Sequence, residues 1–361
     1  MSWDVAVAGG GLAGAAAALR LAASHRRVVL FERERGPHDK VCGEFLSGEA
    51  AAELAALDLQ PARLGAAPIE AIRLVAGKTT ARAALPFPAW GLSRRRLDEL
   101  LLGEAAARGV VVRRGQAVRA LARDGKGFRI TTREGDSRAA VALLATGKHD
   151  LPGWQRSGAS AMIGLKLHLT LAEPQRRLVA GHVELALFRG GYAGLQLVED
   201  GVANLCLVVN RDRFTTVGRD WRRLVASVPH LAARLADADA RQPRPLAVAG
   251  MPYGWLAGKG PAHPIYRLGD QAAVIPSFTG DGMAMALRSA HIVADAVLEG
   301  RRSTSYHHDL AATFRGPVYR AGLIAALAAP PLAQHLLAAA GNAAPWLIAR
   351  LAAATRIGAA A

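Results

Sequence analysis

The chain opens on an apolar run that ends in glycines, and that junction limits what the rest can become. Residues 3–11 read WDVAVAGGG, and residues 12–24, LAGAAAALRLAAS, are nearly all good helix formers. A second apolar run, RRVVLFERE, follows at 26–34. A strand, a glycine turn, a helix and a strand in so little chain make a compact βαβ unit. The turn, Gly9-Gly10-Gly11-Leu12-Ala13-Gly14, matches G-x-G-x-x-G. Gly9 permits the tight turn, Gly11 lets a pyrophosphate approach the backbone, and Gly14 lets the helix pack close to the strand. The free N–H groups at the helix start, around Leu12 and Ala13, then face the diphosphate. Glu32, with Arg33 beside it, ends the second strand where a carboxylate can hydrogen-bond a ribose diol.

At 361 residues the chain exceeds one minimal domain. Its two cysteines, Cys42 and Cys206, are too few for a disulfide framework, so a reduced, cytoplasmic setting is expected. The first residues lead straight into a strand, so no signal peptide is expected. The net charge of +16 comes mostly from arginine, scattered in pairs such as Arg26-Arg27 and Arg222-Arg223. Nucleic-acid binding needs a clustered basic face, so no nucleic-acid partner is expected. No His/Cys cluster has metal spacing, and no metal is expected.

Further along, SRRRLDELLLGEAAARG reads as a helix and AAVALLATGK as a buried strand ending in a small-residue turn. From about 160 the pattern turns to alternating strands, IGLKLHLTL, GHVELALF, YAGLQLVED and VANLCLVVN, which suggest a largely antiparallel sheet. A strand, IYRLGDQAAVIP, and a long helix, GDGMAMALRSAHIVADAVLEG, come next, and the last sixty or so residues look helical. The expected fold is therefore α/β. A Rossmann-like nucleotide-binding domain is assembled from 1–75, 92–154 and 264–300. A mostly antiparallel β-sheet substrate domain, 76–91 and 155–263, is inserted into it, and helices fill 301–361.

Three segments narrow the dinucleotide. RLGDQAAVIPSFTGDGMAMAL, at 267–287, carries Gly269-Asp270 on a strand, then Pro276, then Gly280, Gly282 and Met283 opening a helix. GLSRRRLDELL, at 91–101, carries Arg94, and LLATGKHD, at 143–150, carries Thr146-Gly147. In this order they resemble the flavin motifs of the FAD-dependent para-hydroxybenzoate hydroxylase-like and geranylgeranyl reductase-like oxidoreductases. The resemblance implies FAD, with Asp270 on the ribityl chain, Arg94 near the phosphates or adenine, and the Gly280–Met283 helix start at the flavin N1–C2=O edge. A helix start stabilises the negative charge of a reduced flavin there. Thr146-Gly147 departs from the D-G of the hydroxylases, and Lys148 and His149 are expected to be exposed. With one dinucleotide fold only, NADPH or NADH binds transiently or an external reductant serves.

The loop DKVCGEFLS, at 39–47, carries two resemblances at once. Lys40-Val41-Cys42-Gly43 matches the K-x-C-G of geranylgeranyl reductase-like proteins, and Gly43-Glu44-Phe45-Leu46 matches the G-E-x-L of flavin-dependent halogenases. The W-x-W-x-I-P segment of halogenases is missing, and AGMPYGWLAGKGP stands instead. Cys42 reads as a reactive thiol, a wall of the flavin pocket with Gly43, or neither. Glu44 reads as a general acid/base near the flavin or as a helix cap. Lys166 and His168 share one face of IGLKLHL and line the cavity or solvent, whereas Cys206 reads as strand core.

From Ala321 to Ala349 there is no formal charge. Pro330-Pro331 and Gly341-Asn342 break this run into what read as three short helices closing over the substrate cavity. A peripheral membrane contact through an apolar face is the alternative. The resulting expectation is an FAD-dependent oxidoreductase, a monooxygenase of a hydrophobic aromatic or polyketide-like small molecule. The alternative is a flavin-dependent C=C reductase of a prenyl or other lipophilic substrate.

Overall fold

The computed structural model describes residues 2–257 and 265–358. The first βαβ unit is β1 (Ser2–Ala8), α1 (Leu12–Ala23) and β2 (Val28–Glu32). β1 pairs in parallel with β2, and alternation along both strands divides their side chains between two cores. Val5, Val7, Val28 and Leu30 face the helices, while Ala6, Ala8, Val29 and Phe31 face the opposite side. Burial on both faces explains why these strands read as unbroken apolar runs.

β3 (Phe45–Ser47) and α2 (Gly48–Ala55) follow the Cys42 loop. A hairpin comes next, β4 (Ala67–Ala76) and β5 (Thr79–Gly91), turning at Gly77-Lys78. Then come α3 (Arg94–Ala107), β6 (Val111–Arg114), β7 (Ala120–Asp124), β8 (Gly127–Thr131) and β9 (Asp136–Leu144). β6-β2-β1-β9 form a parallel sheet, which β8 and β7 extend as an antiparallel ribbon.

The second sheet contains β10 (Met162–Thr170), β11 (Gly181–Phe188), β12 (Gly191–Leu197) and β13 (Ala203–Asn210). α4 (Glu173–Val179) lies between β10 and β11. Downstream are α5 (Arg211–Thr216), α6 (Trp221–Ala226), α7 (Pro229–Arg234), β14 (Asp239–Ala240) and β15 (Leu246–Ala249). The sheet order is β14-β10-β13-β12-β11-β4-β5-β3, with β15 also on β10. It is antiparallel except where β11 meets β4. It therefore includes β3 and β4, which lie N-terminal to the expected start at 76. Each takes its place through the hydrogen-bonding edge offered by β5. The expected boundary at 263/264 lies outside the described residues.

Leu165, Leu167, Leu205, Leu207 and Val209 face outward onto α6 and α7. Alternation sends Lys166, His168, Asn204, Cys206 and Val208 to the inner face, in facing pairs such as Lys166–Cys206 and His168–Asn204. β16 (Trp255–Leu256), β17 (Ile265–Arg267), β18 (Ala273–Val274) and α8 (Gly282–Leu298) return the chain to the first sheet, where β17 pairs with β9. α8 packs on α1 through Ala284, Leu287 and Ala290.

The tail is α9 (Ser303–Leu327), α10 (Pro331–Ala343) and α11 (Pro345–Ala354). α9 is long rather than short, and α10 and α11 pack on the outside of β5. Among the described residues none beyond Ala286 lines the central cavity, so the tail is not the lid expected of it. Ile348 and the small residues of α10 fit the hairpin's apolar outer face, which the cavity does not share.

Candidate functional site

The two sheets enclose a cavity of about 510 Å³, and the sequence motifs converge on it. Gly9 adopts φ +110°, and a Cβ there would lie 2.3 Å from the Ala145 carbonyl oxygen. Gly14 sits behind the turn, where a Cβ would meet the Gly9 carbonyl oxygen at 1.9 Å. Gly11 precedes α1 without a side-chain cap, so the first-turn N–H groups face the cavity unshared. Glu32 accepts from the Gly10 and Glu34 N–H groups, each at 2.9 Å, and its buried carboxylate lines the cavity next to Arg33.

Cations gather over the glycines. Arg94 Nη2 and Lys40 Nζ lie 3.3 and 3.4 Å from where a Gly11 Cβ would stand. Both are held by Asp98, which takes two bonds from Arg94 at 2.9 Å and one from Lys40 at 2.8 Å. Burial raises the Asp98 pKa, but Arg94 and Lys40 outweigh it and keep the carboxyl below its ordinary value. Arg95 and Arg96 point away, toward an open hollow of mixed charge on the far side of α3.

Across the cavity, Lys148 Nζ pairs with Asp270 at 2.8 Å. Lys148 is therefore not the exposed residue expected. Burial alone would lower the Lys148 pKa and raise that of Asp270. Their attraction reverses both shifts, so the two stay charged. Arg156 buttresses the pair by donating to the Asp270 and Lys148 carbonyls at 2.9 and 3.0 Å. Gln271 holds the Thr146–Asp150 turn through the Gly147 and His149 carbonyls. His149 is exposed, as expected.

The Cys42 loop runs between the sheets and is pinned by the second. Asn204 donates to the Cys42 and Gly43 carbonyls at 3.2 and 2.8 Å, and Gln196 donates to that of Glu44 at 2.9 Å. These bonds hold Glu44 at φ +57°, a strained conformation for a residue with a side chain. Its carboxylate is fully buried. Oε1 accepts from Lys166 Nζ at 2.5 Å and the Arg94 N–H at 2.8 Å, and Oε2 lies 2.6 Å from His168 Nε2. Asp39 Oδ1 stands 3.4 Å from both Lys166 Nζ and His168 Nδ1. Asp39, Glu44 and His168 are close enough to ligate a metal, but the cation between the two carboxylates is the Lys166 ammonium. Lys166 and His168 thus face the protein interior rather than solvent. Glu44 and Asp39 line the cavity and His168 lines the open hollow, so the array bridges the two.

Cys42 is half-buried on the cavity wall, and its Sγ accepts from the Glu44 N–H at 3.4 Å. Cys206, expected in the strand core, also lines the cavity, with burial pushing its thiol up to about 12. At the remaining end, Gly280, at φ +76°, packs on Phe45, and a Cβ there would meet the ring at 2.6 Å. α8 starts at Gly282 without a side-chain cap. Asp281 beside it is fully buried against Arg356 at 2.7 Å, and burial pushes its carboxyl up to about 7 despite the arginine.

Of the residues expected around a cofactor, the structure brings together Gly9, Gly11, Leu12, Ala13, Glu32, Arg33, Cys42, Gly43, Arg94, Thr146, Gly147, Gly269, Asp270, Gly280, Gly282 and Met283. Gly14 and Pro276 stand outside the lining. Gly14 sets the helix–strand contact. Pro276 is buried at the start of a turn, its carbonyl accepting from Thr279 Oγ1 at 3.1 Å. Lys40, Lys148, Tyr253 and Met251 join the lining without having been singled out as cofactor contacts.

The cavity fits FAD. Side chains added at Gly43, Gly147 or Gly282 would meet nothing within 4 Å, so backbone is bared to open space at each. Two uncapped helix starts and two cations over Gly11 supply what a diphosphate and a reduced flavin require. The family model of the FAD binding domain matches residues 4–38. The fold recurs in the flavin-dependent brominase Bmp2, at 16% identity and TM-score 0.79, covering 99% of this chain and 95% of that one. A flavoprotein/dehydrogenase from Cytophaga hutchinsonii matches at 18% identity and TM-score 0.75, over 96% and 94% of the chains. CmlS, a flavin-dependent halogenase, matches at 21% identity and TM-score 0.75, over 89% and 63%. Such identities show a shared fold alone. The matched segment and the cradle built on it mark this chain as FAD-binding, on a fold that it shares with flavin-dependent enzymes.

Proposed function

We propose that the protein is an FAD-dependent monooxygenase of a hydrophobic, aromatic or polyketide-like small molecule. Bound FAD supplies the two-electron redox chemistry and the reaction with O2. One oxygen atom enters a C–H bond of the substrate and the other leaves as water, at the expense of NADPH or NADH and one proton. The observation that carries this reading is Glu44. It stands on the wall of the cavity that the glycine cradle also lines, joined behind the wall to Lys166 and His168. It can hold or move a proton at Oε2, with His168 Nε2 as its partner and Lys166 Nζ fixing Oε1. Beyond it the wall turns apolar, with Val208, Val248, Met251 and Ile275, which suits a lipophilic substrate and keeps water out. Arg94 and Lys40 would hold the diphosphate, Glu32 the ribose and Asp270 the ribityl chain.

The test is turnover of the FAD-loaded protein with NADPH, with and without oxygen, on alkylphenol probes. Hydroxylated product only in oxygen is expected. Glu44→Gln should keep its flavin and lose about 100-fold or more in turnover. Halogenated product on adding bromide or chloride would instead favour the chemistry named for the neighbours.

A second reading, reduction of a prenyl C=C bond, draws on Cys42 at the wall and its K-x-C-G context. Anaerobic saturation of a geranylgeranyl probe by the dithionite-reduced protein would support it. Replacement of Cys42 by Ala is expected to leave oxygen-dependent turnover intact, and loss of turnover with flavin retained would assign chemistry to the sulfur.

A further inference from the structure

Helix α10 leaves its largest apolar side chains outside. Its inner face carries Gln334, Ala338, Gly341 and the half-buried Leu337, while Leu332 and Leu336 stand 70% and 61% exposed. A surface helix ordinarily does the reverse. α9 continues the pattern, with Tyr319, Leu323 and Leu327 in one exposed stripe at i, i+4 and i+8. With Trp346 of α11, these are six of the eight large apolar side chains exposed among the described residues. No single described helix is long and apolar enough to cross a membrane, and α9 and α10 meet at 108°. Together the two are long and apolar enough for a broken span, but a bend of 108° and an exposed apolar stripe favour a pair lying along a surface.

The charge around this face says what covers it. After Asp309 the sequence has four arginines and no acidic residue. Arg356 is held inside by Asp281, whereas Arg315, Arg320 and Arg350 are exposed, Arg320 with its Nε donated to the Ala354 carbonyl at 2.6 Å and its Nη groups left outward. Arg315 heads the α9 stripe one turn before Tyr319, and Arg350 lies over the Trp346 ring at 5.1 Å. A second copy seated here would bring two cationic rims together with no carboxylate after Asp309 to pair them, on a chain whose net charge is already +16. We propose that the bent α9–α10 pair, with Trp346, seats the protein on the surface of an anionic lipid bilayer. The leucines enter the headgroup–acyl boundary, Trp346 lies at the interface, and the three arginines reach the phosphates. This placement does not depend on the oxygenase reading, because its readout is partition and not turnover.

The test is co-sedimentation of the full chain, FAD-loaded, with phosphatidylglycerol-rich vesicles and with phosphatidylcholine vesicles. Binding to the former, weakened by salt, is expected. Replacing Arg315, Arg320 and Arg350 by Gln should weaken it roughly fivefold for each arginine. The Leu332→Asp/Leu336→Asp variant should stay in the supernatant with its flavin spectrum unchanged. Three results would overturn the proposal. The first is wild-type protein left in the supernatant with anionic vesicles. The second is equal, salt-insensitive binding to neutral vesicles. The third is a dimer in sedimentation velocity that the leucine variant converts to monomer, which would assign the face to a second copy.

Discussion

At the scale of single residues, the Glu44–Lys166 pair is a costly feature. Both side chains are fully buried, and burying two charges is offset only while each keeps its partner. Replacing Lys166 by Met should destabilise the fold by about 3–5 kcal/mol, because the Glu44 carboxylate loses its cation. Adding Glu44→Gln to that variant should restore part of the loss. Urea denaturation of the two variants would check both, and equal stabilities would contradict the pairing argument. Alternation in IGLKLHL put Lys166 and His168 on one face but left open which face that was. The answer depends on β13 and the Cys42 loop closing over that face, through side chains remote in sequence such as Asn204 and Gln196.

At the scale of elements, the two helix starts at the cavity were the most legible parts, because glycine spacing reports backbone geometry directly. Gly14→Ala tests the first. Its Cβ would stand 1.9 Å from the Gly9 carbonyl oxygen, so α1 must shift, at a cost of about 1–3 kcal/mol. The purified variant should carry less flavin per protein than the wild type, read from its absorbance ratio. The second helix start hides a titration that no local motif announces, since it comes from the burial of Asp281 in the folded chain, which outweighs the opposing charge of Arg356. The Asp281 pKa is raised in the folded state to about 7, from 3.8. Its contribution to stability is therefore present in full below about pH 4 and is lost as pH rises toward 7. Thermal unfolding across that range should show the decline, and Asp281→Asn should lack it.

For the whole molecule, the order of the motifs was enough to recover a nucleotide-binding sheet interrupted by a second, mostly antiparallel one. The edges of that insertion were not legible, since β4 joins the second sheet by pairing with β5 on one side and, on the other, with β11, more than a hundred residues away. The tail was read as helical but given the wrong neighbour. An uncharged helix looks the same in sequence whether it covers a cavity or a strand hairpin, and only the inward-facing Gln334 and Gly341 of α10 reveal which side is packed. The proposed function of the molecule as a unit requires the cavity between the sheets to serve an oxygen-using flavin. The most direct measurement is the isotopic composition of product from an alkylphenol probe turned over by the FAD-loaded protein and NADPH under heavy-isotope oxygen gas. One heavy oxygen atom in the product is predicted. A product formed equally well without oxygen, or containing oxygen only from water, would contradict it.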